Sequence, residues 1–397
     1  MERERFDIFI SGGGLSGLIA ACAFGRLGLS VLCVDPQPAV TDQANPKADR
    51  RSTAFLQPAR VTLETAGLWT RLAPFAAPLQ IMRLADAGGE AGEIRYLADF
   101  DAGEMSDSPF GWNLPNWLLR REILAQIDQT ANITLRFGVS TTRIVARHAH
   151  ALVALSDGSQ IETPLVVAAD GRNSAIRNML DIGVKTWRYG QKAMVFTVSH
   201  PRPHNNVSTE IHRTGGPFTL VPLPDDSGIP QSAVVWMETG PHAAGLMALD
   251  DADFMVQANL RSCDILGPLT LTSPRNLWPI LSQKADRLTG PHTALMAESA
   301  HVVPPIGAQG LNMSLGDVQA LVDLIESGAD LGSIAMLTAY ERKRMPDITA
   351  RVSGVDMLNR AALLESPNLR ALRLKGLQFL NETTPLRRAA MRAGLGA

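Results

Sequence analysis

The chain has 397 residues, 45% hydrophobic and 19% charged, with 37 basic and 39 acidic side chains for a formal net charge of −2. Single cores stop growing near about 250–300 residues, so this length suits two domains or one domain with a large insertion, and the composition excludes a disordered chain. The balanced charge removes any global field toward nucleic acid or an acidic substrate. Cys22, Cys33 and Cys263 are an odd set in largely apolar surroundings, which argues against a disulfide framework and for a reducing cytoplasm.

The opening MERERFDIFI is charged and runs straight into an apolar stretch, unlike a signal peptide. No apolar run approaches the roughly 18–20 residues that a bilayer span needs, so any membrane contact is expected at a surface. FDIFISGGGLSGLIAACAFGRLGLSVLCVD predicts strand 6–10, helix 15–27 and strand 30–35, a βαβ unit. Gly12, Gly14 and Gly17 satisfy G-x-G-x-x-G at the strand-to-helix junction. Gly12 suits the tight turn, Gly14 the approach of a pyrophosphate and Gly17 the packing of helix on strand. Asp35 stands where a ribose-binding acid is expected. The same residues also suit a glycine turn that only packs a helix, with Asp35 as a cap, and the motif does not separate NAD from FAD.

A second strand-to-helix junction follows at LVVAADGRNSAIRNML, where a strand over 165–169 ends in Asp170-Gly171. From 183 to 274 the texture becomes β-branched and aromatic (AMVFTVS, SAVVWMET), predicting an antiparallel sheet. The apolar strand HTALMAE, a Pro/Gly loop and a helix from about 314 to 326 return to the first style. Residues 333–397 read as helical, with Pro346, Pro367 and Pro385 at starts or kinks. The expected organisation is a discontinuous nucleotide-binding domain over 1–75, 102–182 and 275–360. A sheet domain over 76–101 and 183–274 and a helical segment over 361–397 complete it. No histidine or cysteine spacing suits a metal: His200 and His204 are separated by prolines that exclude a helix.

Three segments read in order, GGGLSG, VVAADGRNSAIR and PPIGAQGLNMSL, resemble the FAD-dependent aromatic monooxygenases. More narrowly, the chain is similar to the ubiquinone-biosynthesis hydroxylases that act on polyprenylated phenols. The resemblance implies an α/β fold: a Rossmann-like FAD-binding domain of the para-hydroxybenzoate-hydroxylase type, an inserted antiparallel sheet and a helical C-terminus. It implies FAD, NAD(P)H as reductant, O2 as co-substrate, and oxygen transfer to the ring through a flavin C4a-hydroperoxide. It places Asp170 and Gly171 near the pyrophosphate, and Arg51 and Arg120 where cofactor-contacting arginines lie, although Asp170 also suits a helix cap and either arginine a solvated helix. Around the isoalloxazine it places Pro304, Pro305, Gly307 and Gln309, with the helix start at Gly310, Leu311, Asn312 and Met313 presenting amides to the ring.

This sequence has Ala297-Glu298 where the family has Gly-Asp, and IGAQG where relatives carry Ala-Gly before the Gln. Glu298 keeps a carboxylate for the ribityl chain, while Ala297 costs on the order of 1 kcal/mol if the position needs φ > 0. His301 suits either a contact near the cofactor or packing. Val195, Phe196, Leu220 and Trp236 are candidate pocket lining or ordinary sheet core. Arg370, Arg373, Lys375, Arg387, Arg388 and Arg392 against Glu382, interleaved with leucines, suit a helix on anionic lipid, docked on a quinone-biosynthesis complex or packed on its own domain. A hydroxylase of a small soluble aromatic and a non-catalytic scaffold subunit are the alternatives.

Overall fold

The computed structural model describes residues 3–89, 92–363 and 366–395. One sheet has six strands in the order Thr289–Gly290, Thr293–Leu295, Leu165–Ala168, Ile8–Ser11, Val31–Asp35, Ile133–Phe137. All pair in parallel except the first edge strand. The runs IFIS and LVVA are buried at every position, as parallel strands covered on both faces require. Helix Leu15–Arg26 packs beside helices Asn116–Ile127 and Gln309–Glu326. The first long strand starts later than predicted because Asp7 is used by its side chain, which accepts from the Ser30 N–H at 2.8 Å and the Ser30 hydroxyl at 2.7 Å.

This sheet collects the sequence motifs. Gly12 follows the strand Ile8–Ser11, Asp35 ends Val31–Asp35, Asp170 lies just past Leu165–Ala168, and Glu298 lies just past Thr293–Leu295. All four segments therefore emerge from carboxyl ends of parallel strands, the edge at which open α/β sheets bind ligands.

The second large sheet runs His301–Val302, Asn276–Ala285, Val184–Ser199, Ile229–Thr239, Pro217–Asp226, Val207–His212, Ile81–Asp86, Tyr96–Asp101, with Thr270–Leu271 paired to its long third strand. It is antiparallel except between Val207–His212 and Ile81–Asp86. The edge strand His301–Val302 pairs with Asn276–Ala285, so the segment after Glu298 enters this sheet directly. Two smaller sheets had no signal in the sequence reading. Ser52–Leu56, Gly111–Pro115 and Ala77–Leu79 form one, and Glu4–Arg5 with the three strands from 141 to 163 forms the other.

Helix Gln309–Glu326 begins earlier than predicted. Pro346 lies inside helix Ile334–Ala362, whereas Pro367 starts helix Pro367–Glu382 and Pro385 is in the first turn of Thr384–Leu395. Leu377, Leu380 and Met391 of this C-terminal pair pack on Ala98 and Phe100 of the sheet. Among the described residues no helix is long and apolar enough to cross a membrane.

Candidate functional site

The three motif glycines do different work. A Cβ on Gly12 (φ 112°) would lie 2.2 Å from the Ala169 carbonyl oxygen, and one on Gly17 would lie 1.9 Å from the Gly12 carbonyl oxygen. Both are excluded by backbone. A Cβ on Gly14 meets nothing within 4 Å, and Gly14 has φ −68° and ψ 174°, which any residue adopts. Gly14 is therefore not needed for packing. It opens helix Leu15–Arg26 with no side-chain cap, so the first N–H groups remain for an anion. Arg120 donates to the Gly13 carbonyl at 3.3 Å. Asp35 accepts from the Gly13 N–H at 2.7 Å and from the Gln37 N–H at 2.8 Å. Sequence spacing and structure bring these residues to one turn.

Asp170 accepts from the Ser174 hydroxyl at 2.5 Å and the Ile176 N–H at 3.1 Å, so its carboxylate anchors the short helix after it. Gly171 takes φ 82° with open space around it. Arg177, not foreseen as a site residue, donates to the Ser299 carbonyl at 2.8 Å and the Arg172 carbonyl at 2.9 Å. It ties the middle motif to the third. Arg51 forms a two-point pair with Asp49 at 2.8 and 2.7 Å and lies 4.5 Å over the Trp278 ring. Burial pushes the Asp49 carboxyl up, but Arg51 and the Asn116 amide outweigh it and hold it below the usual carboxylate range.

In the third motif Ala297 has φ 56°, the left-handed conformation that glycine serves in the family dipeptide. Its N–H donates to Asp317 Oδ2 at 2.9 Å. Glu298 is exposed, and its charge acts on Arg51. Asp317 is fully buried and joins three segments: His301 Nε2 lies at 2.7 Å from Oδ2, and Arg344 Nε donates to Oδ1 at 2.8 Å. Burial alone would raise the Asp317 carboxyl, but the His301 and Arg344 charges with the His301 and Ala297 hydrogen bonds lower it. His301 is 2% exposed, and its ring is packed against the Asp317 carboxylate. Sequence reading missed Asp317 and Arg344; an acid inside the apolar helical run LGDVQALVDLI was the available signal.

The loop itself is sided. Pro305, Gly307 and Gly310 are exposed, while Pro304, Ile306 and Gln309 are buried. Gly307 and Ala308 have φ 61° and 56°, and helix Gln309–Glu326 starts without a side-chain cap. Asn312 accepts from the Leu56 N–H at 2.8 Å and donates to the Ala54 carbonyl at 2.7 Å, fixing this helix end to strand Ser52–Leu56. Two predicted side chains are engaged within the protein. The Gln309 amide donates to the Gly307 carbonyl at 2.9 Å and accepts from Arg351 at 2.7 Å. Met313 is 2% exposed in the core, and Leu311 packs partly against that core. Met313 lies past the first helical turn, so its N–H belongs to the helix ladder as well.

Of the four candidate lining residues only Val195 faces this loop, in a cluster with Ala193, Met237, Ile280 and Ile306, against Val303. Phe196, Leu220 and Trp236 lie in the core on the other face, under helices Gly240–Ala248 and Asp251–Ser262. Alternation along a strand puts Val195 and Phe196 on opposite sides, so they could not both line one pocket. A shallow apolar hollow lined by Ala252, Met255, Val256, Asn259 and Leu260 belongs to that far side as well.

The C-terminal basic residues divide. Arg387 pairs with Glu104 and donates to the Asp99 carbonyl at 2.7 Å, and Arg370 donates to the Gly88 carbonyl at 3.3 Å. Lys375, Arg388 and Arg392 are exposed beside exposed Leu372, Phe379 and Leu386. The side chain of Arg373 lies outside the described residues. All three cysteines are free, and burial pushes the Cys22 thiol up to about 12. Among the described residues no group of three or more His, Cys, Asp or Glu is placed to hold a metal.

The residues present fit FAD: an open, uncapped helix start at Gly14 with Arg120 beside it, and a second uncapped helix start behind exposed Gly307 and Gly310. Comparison with known proteins agrees. Residues 5–354 match the family model described as FAD binding domain. The chain is 32% identical over 400 residues to the ubiquinone hydroxylase UbiL of Rhodospirillum rubrum, covering 98% of this chain and 89% of that one. It is 26% identical over 406 residues to the 3-demethoxyubiquinol 3-hydroxylase of Escherichia coli, covering 100% of both. Among solved structures, PqsL of Pseudomonas aeruginosa with 2-aminobenzoylacetate superposes with TM-score 0.77 at 23% identity, covering 93% of this chain and 99% of that one. The p-nitrophenol 4-monooxygenase PnpA of Pseudomonas putida gives 0.79 at 18% identity, covering 100% and 99%. These two likenesses establish the fold.

Proposed function

Because the chain belongs to the FAD binding domain family and is an oxygen-dependent flavin hydroxylase that uses FAD, we propose that it hydroxylates the aromatic ring of a polyprenylated phenol in ubiquinone biosynthesis. The observation that carries this reading is the near-full-length match to two ubiquinone hydroxylases. FAD, when bound, would supply the redox chemistry that links NAD(P)H and O2 to hydroxylation of the ring.

The chain's own residues bind, orient and keep the site dry. The helix start at Gly14 and Arg120 hold the pyrophosphate, and Asp35 the ribose. Asp170, Gly171 and Arg51 flank that path. Glu298 takes the ribityl chain. The exposed backbone at Pro305, Gly307 and Gly310, with the free amides of the first helical turn up to Leu311, faces the isoalloxazine, where the helix start favours negative charge, while the N–H groups of Asn312 and Met313 are taken by the helix ladder. Ile306, Val195, Val303 and Met237 form an apolar wall that excludes water from the reacting atoms. In this arrangement 1–75, 102–182 and 286–360 serve the cofactor, and 76–101 and 183–274 serve the substrate together with the strand Asn276–Ala285, which pairs into the same sheet and so moves out of the expected 275–360 segment.

The prenyl tail reaches the site from a membrane surface on the cytoplasmic side. Exposed Leu372, Phe379 and Leu386 with Lys375, Arg388 and Arg392 suit contact with anionic lipid. The test is incubation of the FAD-loaded protein with NAD(P)H, a short-chain 2-prenylphenol and isotopically labelled O2, followed by mass spectrometry. The expected product is the phenol carrying one labelled oxygen. Turnover of a small soluble aromatic with no reaction on the prenylphenol overturns the proposal.

A further inference from the structure

Strand register places a polar pair on the loop-facing side of the large sheet. Cross-strand partners share a face, and the pairs Val195–Val235, Val235–Thr219, Thr219–Glu210, Glu210–Leu84 and Leu84–Ala98 trace one row over six strands. Its two ends are covered. Val195 packs with Val303 and Ile306 of the loop, and Ala98 packs under Leu377, Leu380 and Met391 of the C-terminal helices. Between them Val235 and Thr219 are only half-buried, whereas Val234, Trp236, Phe218 and Leu220, their neighbours on the opposite face, are sealed at 0–2% exposure. The row is open in its middle.

Glu210 stands at that opening, 5% exposed, with His212 Nε2 at 2.8 Å from its Oε1. An ionised carboxylate only accepts, so Nε2 carries the proton and Nδ1 is left as the ring's acceptor. His212 Nδ1 is buried and has no hydrogen-bond partner among the described residues. A buried polar atom of this kind calls for a ligand or water to complete it. Two strand spacings, roughly 10 Å, separate Val235 from Glu210, which is room for one substituted ring. The charged and titratable groups packed nearby have partners of their own. Asp86, paired in register with His212, binds Arg95 at 2.6 Å; the Tyr96 hydroxyl accepts from Asn381 at 2.9 Å; Arg370 of the C-terminal helix reaches the Gly88 carbonyl at 3.3 Å.

We propose that His212, positioned by Glu210, is the base that takes the proton of the substrate's phenolic hydroxyl; this rests on the phenol reading above. The O–H bond breaks, its electron pair stays on the phenolic oxygen, the proton bonds to Nδ1, and the Glu210 carboxylate holds the resulting imidazolium. The phenolate ring is the more electron-rich acceptor for oxygen transfer. His212 is then the catalytic residue and Glu210 a positioning residue, and the prenyl tail lies along the row toward Leu84 and the C-terminal helices.

The test uses FAD-loaded protein titrated anaerobically with a short-chain 2-prenylphenol, read by near-ultraviolet difference spectroscopy for phenolate, with steady-state turnover alongside. Wild type is expected to show the phenolate signature. His212→Asn is expected to bind the phenol without it and to lose about 10²–10⁴ in kcat, and Glu210→Gln to weaken both. Flavin content reports folding, and if His212→Asn does not fold, Glu210→Gln alone decides. A phenolate signature that persists in the folded variants, or a wild type that binds and hydroxylates the phenol without one, overturns this inference and leaves the substrate reading standing. A wild type that neither binds nor hydroxylates the phenol overturns both.

Discussion

Two parts of the proposed FAD site need backbone that side chains oppose, and they meet the need differently. In the turn after Ile8–Ser11 glycine stands wherever a Cβ would strike backbone, at 2.2 Å for Gly12 and 1.9 Å for Gly17. Beyond Leu295 the chain instead carries alanine at two left-handed positions, Ala297 and Ala308, both with φ 56°. A left-handed L-residue costs roughly 1–2 kcal/mol, and at Ala297 the Asp317 carboxylate accepting its N–H holds the conformation. A torsional penalty can be offset by a buried hydrogen bond, whereas a collision between backbones cannot.

The comparison breaks most severely at Gly17. Gly17→Ala puts a methyl against the Gly12 carbonyl and separates helix from strand, so a loss of about 3 kcal/mol or more is expected in denaturant unfolding. Asp317→Asn comes next, at about 2–3 kcal/mol, because it removes the fully buried carboxylate from Arg344 and leaves that guanidinium only the half-buried Asp347 at 2.7 Å. The folded-state pKa of Asp317 is depressed. Its contribution is therefore fully present above the unfolded value near about 4 and is lost as pH falls below that. Unfolding free energy measured from neutral pH to pH ~3 should fall less steeply in the variant than in the wild type, the remaining acid limb coming from other depressed carboxylates such as Asp49.

Gly14→Ala separates ligand from fold. Stability of the unloaded protein should change by less than about 0.5 kcal/mol, while FAD affinity by flavin fluorescence should fall about tenfold or more, roughly 1.4 kcal/mol. A matching loss in stability would show that Gly14 packs like Gly12 and Gly17. The smallest effect is at Ala297→Gly, which relieves the left-handed alanine and should stabilise by about 0.5–1 kcal/mol. A destabilised variant would mean that the Ala297 methyl contributes more than its torsion costs.

The strand–turn–helix unit and the order of the motifs were legible because glycine spacing and wholly buried runs are local signals. The side of the large sheet was not. AMVFTVS is apolar at nearly every position, so nothing in it marks Val195 as facing the loop and Phe196 as facing the helices; packing on Ile306 and Phe254 decides that. Asp317 and Arg344 are 27 residues apart and meet only through helix packing. Glu210 and His212 stood in the two-residue alternation of one strand, but their face depends on register across six strands.

On the proposed reading these two unlike backbone devices hold one FAD. The direct measurement is the visible absorption spectrum of the FAD-loaded, purified protein during anaerobic addition of NADPH or NADH. Oxidised flavin bands that bleach on addition are the predicted result. A chain that cannot be loaded with FAD, or whose flavin neither reductant touches, contradicts the account.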